Sequence, residues 1–179
     1  MHKTALLVVD VQEALLEGHP YREREFLGDL QQLLAAARGN GVEVVYVRHD
    51  GGAGDELEAG TPGWRIHHAV SPEPGERIFD KTYNSVFKST GLKDYLDGRG
   101  ISRVFLAGMQ TEYCIDATCK AAFEYGFSLV VPSGATTTFG NEYLSGEKLV
   151  EFYERKIWNG RFAEVVPVRE AVEEMGTPG

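Results

Sequence analysis

Residues 4–10 (TALLVVD) form a short unbroken apolar run that ends in an aspartate. With no polar residue alternating through it, such a run suits a strand buried on both faces of a parallel sheet. Parallel neighbours need crossover connections, and a strand buried on both faces needs helices on two sides. This one segment therefore points to a layered α/β architecture.

The residues that follow fit that architecture. Phe26, Leu27, Leu30, Leu33, Leu34 and Ala37 recur at three- and four-residue steps from about Glu23, and Gly39 and Gly41 close the pattern. This spacing predicts an amphipathic helix. Residues 42–47 (VEVVYV) predict a second buried strand, so the opening reads β-α-β with a right-handed crossover. Further strands are expected over 77–81, 103–107, 127–131 and 163–166. Helices are expected over 92–96, 117–125 and about 142–158, with a brief one at the end. The expectation is an α/β fold, a single three-layer α/β/α domain spanning 1–179. Its sheet is mostly parallel, about six-stranded and Rossmann-like, with helices on both faces.

Several function classes are excluded early. The net charge is -9, and no block of Lys or Arg could track a phosphate backbone, so nucleic acid is not an expected partner. No apolar run approaches the roughly 18 residues of a membrane span. The N-terminus lacks the layout of an export signal, which leaves a cytoplasmic location as the expectation. Cys114 and Cys119 lie five apart in a helical segment and point to different faces, so reduced thiols are expected. Residues 49–76, rich in Gly, Pro and acid, read as a long surface excursion suited to covering a site.

In parallel α/β sheets ligands bind beyond the carboxyl ends of the strands. Asp10, Lys81 and the 108–114 turn all fall there. A carboxylate ending an apolar strand is costly unless it has a partner or opens into a site. Cys114 follows a strand-to-helix turn, where the helix dipole is expected to favour thiolate over thiol.

Three runs, LLVVDVQ at 6–12, Lys81 followed by SVFKSTGL at 85–92, and AGMQTEYCIDAT at 107–118, resemble the isochorismatase-like cysteine hydrolase superfamily. The wording of MQTEYC is similar to its streptothricin-hydrolase-like branch. The resemblance implies that Asp10 accepts the thiol proton, that Lys81 is the cation between acid and substrate, and that Cys114 is the nucleophile. It also implies a cis peptide between Met109 and Gln110, and an oxyanion hole from the backbone N–H groups of Gln110 and Cys114. Gln12, Leu15, Gln110 and Tyr113 match pocket positions, and Tyr83, Asn84 and Phe87 are further substrate-binding candidates. The expected activity is hydrolysis of a carbon–nitrogen bond in a small amide, lactam, ureide or carbamoyl compound through a Cys114 acyl-enzyme.

The resemblance also implies a homo-oligomer, a dimer or tetramer. The stretch VRHDGGAGDE puts His49 and Asp50 in the wrong order for the metal-binding members, and His67 and His68 lack partner spacing. No metal and no cofactor are expected. Gly134 stands where relatives often carry an acid. A vinyl-ether hydrolase and a catalytically silent binding module of the same fold remain open alternatives.

Overall fold

The computed structural model describes residues 3–177. Strand β1 (Lys3–Val9) leads into a short helix α1 (Glu13–Glu17), the long helix α2 (Glu23–Gly39) and strand β2 (Glu43–His49). Strand β3 (Arg77–Lys81), helix α3 (Leu92–Gly98) and strand β4 (Ile101–Met109) follow. A π-helical turn (Thr111–Ile115) then runs into helix α4 (Asp116–Glu124) and strand β5 (Ser128–Ser133). The chain closes with β6 (Thr136–Thr137), α5 (Gly146–Phe152), a second π-helical segment (Tyr153–Trp158), β7 (Glu164–Pro167) and α6 (Val168–Met175).

All pairings between these strands are parallel, in the order β3-β2-β1-β4-β5-β7, with β6 beside the end of β4. The sheet has seven strands, one more than the run lengths suggest, because two-residue β6 is too short to leave a pattern. Alternate residues of the central strands feed two cores. Ala5, Leu7 and Val9 pack with α3 and α4 side chains such as Leu96 and Ala122, while Leu6 and Val8 pack with Leu30 and Leu34 of α2 and Ala171 of α6. That division is why 4–9 is apolar throughout rather than alternating.

Two elements depart from the sequence reading. Helix α1 was not expected, since five residues cannot show a helical period. The helix expected from about 142 begins only at Gly146, because the Ser145 side chain accepts from Lys148 N and caps it there. Among the described residues no helix is long and apolar enough to cross a membrane.

The order of strands reverses between β1 and β4, since the chain runs outward one way through β2 and β3 and the other way through β5 and β7. Such a switch point opens a crevice at the carboxyl ends of the two central strands. The close approach there depends on Gly108, which pairs with Val9 at φ 132°. A Cβ at this position would stand 2.0 Å from Val9 O. Only glycine lets β4 end flush against β1.

Candidate active site

Each site residue is delivered by the end of an element. Asp10 leaves β1 at φ 54°, a left-handed conformation that aspartate tolerates better than most residues, and its N–H donates to Val47 O. Lys81 is the last residue of β3, paired in register with His49, the last of β2. Cys114 sits in the π-helical turn that follows β4. The Met109–Gln110 peptide bond at the start of that turn is cis.

These residues converge. Lys81 Nζ donates to Asp10 Oδ2 at 2.7 Å and to Cys114 Sγ at 3.2 Å, and lies 3.2 Å from His49 Nδ1. The Lys81 and Asp10 side chains are buried. Asp10 Oδ1 is also buried and has no hydrogen-bond partner among the described residues. The Cys114 sulfur has Asn84 Oδ1 at 3.9 Å as a further neighbour. Asp10, His49 and Cys114 offer ligand atoms within 4.8 Å of one another, a set that could hold a metal ion. The Lys81 ammonium already contacts all three and is itself the cation of the site.

Burial, and then the Asp10 charge, push the Cys114 thiol up to about 12 against the pull of Lys81. This corrects the expectation of a thiolate favoured by the helix dipole: desolvation and a neighbouring carboxylate outweigh it. Burial also pushes the Asp10 carboxyl up, opposed by Lys81. The resting thiol is therefore protonated, beside the Lys81 and Asp10 side chains.

A cavity of about 190 Å³ opens over these groups. Leu15, Leu57, Met109 and Tyr113 give it apolar walls, and His49, Asn84 and Gln110 add polar ones. Leu15, Asn84, Gln110 and Tyr113 are thus among its lining residues. Gln12, Tyr83 and Phe87 do not line it. Gln12 is wholly buried, with its amide donating to His49 O and Trp64 O and accepting from His49 N. Phe87 is a core residue stacked on Phe127, and Tyr83 points into solvent, 52% exposed, with the Lys88 ammonium 5.4 Å from its ring centre.

Two lining residues escaped the sequence reading. The sequence suggests His49 only as a metal ligand, although it follows the apolar run VEVVYV much as Asp10 follows LLVV, and that position is the available signal. Leu57 comes from the 49–76 loop, which is tied down rather than free. Gln12 and Ile66 form an antiparallel bridge, and Glu13 N, Ala14 N and His67 N bond to Arg65 O, Gly63 O and Val11 O. The Arg48 guanidinium lies 3.5 Å from the centre of the Trp64 ring and adds a cation–π contact. His67 and His68 gather on Glu13, whose Oε1 takes the His68 backbone N–H at 2.9 Å and whose Oε2 lies 3.6 Å from His67 Nε2. The partner the sequence does not show for them thus comes from α1, and the three offer ligand atoms within 4.8 Å of one another, a second set that could hold a metal ion.

Glu154 accepts from Gly134 N at 3.1 Å and from Ser133 Oγ at 2.7 Å, while a side chain at 134 would meet Asp29 Oδ2 at 2.8 Å.

The family model for the Isochorismatase domain matches residues 4–166. A streptothricin hydrolase of Streptomyces noursei is 39% identical over 138 residues, covering 75% of this chain and 50% of that protein. The chain spans about half the length of the streptothricin hydrolases it matches. A maleamate amidohydrolase of Pseudomonas putida is 32% identical over 148 residues, covering 72% of this chain and 70% of that protein. The crystal structure of an isochorismatase family protein superposes with a TM-score of 0.85 at 27% identity, over 91% of this chain and 97% of that one. A match over nearly the whole chain, on a sheet with the same layering, assigns it: this protein belongs to the isochorismatase family.

Proposed function

We propose that this protein is a cysteine-dependent hydrolase that cleaves a carbon–nitrogen amide-type bond in a small, neutral molecule. The observation that carries the reading is the buried Lys81 ammonium set between Asp10 Oδ2 and Cys114 Sγ, two groups that line an open cavity. The names of the streptothricin hydrolase and maleamate amidohydrolase relatives support the bond type. The cavity supports the substrate class. Beyond Asp10, His49, Tyr113 and Cys114 its lining residues carry no ionisable side chain, so no further charge is set aside to recognise a charged substrate.

The chemistry follows from the protonation states. Cys114 begins as a thiol and is a poor nucleophile until its proton leaves. Asp10 Oδ1, buried and unpartnered, is the acceptor. Its raised affinity for protons makes it a better base than an ordinary aspartate near neutral pH. As the proton moves, Sγ bonds to the substrate carbonyl carbon, and the oxygen becomes an oxyanion held by the backbone N–H groups of Gln110 and Cys114. Collapse breaks the C–N bond, and Asp10 returns the proton to the departing amine. Water then attacks the thioester, giving its proton to Asp10, and the acid leaves as the thiol re-forms. Lys81 stays charged throughout and offsets the negative charge as it passes between Asp10, sulfur and the oxyanion.

The test is release of ammonia or amine from a panel of small amides, lactams, ureides and carbamoyl compounds, with wild type run beside Asp10→Asn. Asparagine keeps the shape and an acceptor for Lys81 but takes no proton. The expected loss is about 10²–10⁴-fold in kcat. A variant as active as wild type would remove Asp10 from the reaction.

A further inference from the structure

Lys81 has more partners than the proposed reaction uses. Its ammonium is buried and carries three N–H donors and no acceptor, so every donor needs a partner. Asp10 Oδ2 takes one at 2.7 Å and Cys114 Sγ another at 3.2 Å. The third has His49 Nδ1, also at 3.2 Å. We propose that His49 is a positioning residue, whose Nδ1 accepts the third N–H of Lys81 and fixes the ammonium where it faces Asp10 and Cys114 at once. The proposal rests on the reading of Cys114 as nucleophile.

The ring is itself held in place. His49 pairs with Lys81 in the β2–β3 register, and Asp50 N donates to Lys81 O one step further on. The backbone of His49 is gripped on both sides by Gln12, whose Oε1 accepts from His49 N at 2.9 Å and whose Nε2 donates to His49 O at 3.0 Å. The same Nε2 donates to Trp64 O, which ties the loop over the cavity to the residue that holds the lysine. Gln12, buried and away from the cavity, thereby acquires a reason for its position.

An Nδ1 that accepts from an ammonium must keep its lone pair, so the imidazole is neutral with its proton on Nε2. Burial and the Lys81 charge hold His49 below the usual histidine range, against Asp10, Asp55 and Asp50, which pull it up. Across the cavity the remaining titratable neighbours are Cys114, a thiol at rest, and Tyr113. Protonating Nδ1 would turn an acceptor into a donor aimed at an ammonium and set two positive charges side by side. The sign follows: the arrangement is intact above the His49 pKa and fails as pH falls through it, at a pH below the ordinary value of about 6.5.

The experiment uses 4-nitrophenyl acetate as a probe of the first half-reaction. Sγ bonds to the acetyl carbon, the bond to 4-nitrophenolate breaks, and the thiol proton passes to Asp10. First-turnover release of 4-nitrophenolate is measured against pH for wild type, His49→Asn and His49→Ala, with Cys114→Ala as the blank. Asparagine places an oxygen acceptor where Nδ1 stands and does not titrate. Near neutral pH His49→Ala is expected to lose about ten- to a hundredfold, and His49→Asn to recover most of that loss. Wild type should show two acid ionisations, of His49 and Asp10, and His49→Asn one, that of Asp10. A His49→Asn profile that keeps both ionisations, or a His49→Ala rate equal to wild type, overturns the role of His49. If His49→Ala does not fold, the His49→Asn profile decides alone. Wild type showing no Cys114-dependent release would instead remove the hydrolase reading, and this role with it.

Discussion

Cys114→Ala is expected to lower amide hydrolysis by about 10⁴–10⁶-fold while the protein stays folded. The size of the loss reflects the absence of any substitute nucleophile: the other cysteine, Cys119, is wholly buried in the core and cannot reach the cavity. Folding survives because Cys114 is only half-buried and packs at the margin of the first core. Losing one sulfur there costs about 1 kcal/mol or less. The check is kcat for the two proteins together with their urea midpoints. Activity kept by Cys114→Ala but lost by Asp10→Ala would instead favour proton-driven cleavage of a vinyl ether.

The second large effect is on stability and comes from a residue with no side chain. Gly108→Ala puts a Cβ 2.0 Å from Val9 O and 2.8 Å from Val9 N, in the middle of the central strand pair and at φ 132°. Neither backbone can yield without breaking the β1–β4 ladder, so a cost of at least about 4 kcal/mol is expected. For a chain of this size that is about 10 °C in Tm. Any folded fraction should also lose activity, because a displaced β4 carries Cys114 away from Asp10 and Lys81. A drop under about 1 kcal/mol would mean that the two strands can slide apart at little cost, and the close approach would lose its structural meaning.

Asp10 stands out in the sequence because it ends an apolar run, and in parallel sheets such stops gather at one edge. Lys81 closes the mixed run RIFDK and Cys114 lies five residues past the end of β4, so those two stand out chiefly through the motifs of the resembled family. The position that marks Asp10 also marks His49, two residues past the run VEVVYV, but the residues around it in the sequence point only to metal binding. Gln12 and Phe87 show the opposite limit. A buried glutamine bonded to two backbone segments and a phenylalanine stacked on Phe127 look, in one sequence, like residues facing a ligand. The difference lies in contacts made 37 and 52 residues away, which no local pattern carries.

Protonation was less legible still. A cysteine after a strand-to-helix turn suggests a thiolate, but burial and the Asp10 carboxylate decide otherwise, and both are properties of the assembled crevice. The loop at 49–76 has no period to read because backbone bonds to the segment after β1, not an apolar stripe, hold it.

The most direct test is to quench the reaction in acid during turnover of an amide substrate and weigh the intact protein and its peptides. The account predicts a mass increase equal to the acyl fragment, carried by the peptide containing Cys114 and absent from Cys114→Ala. Steady turnover with Cys114 never modified, and undiminished in Cys114→Ala, would contradict it.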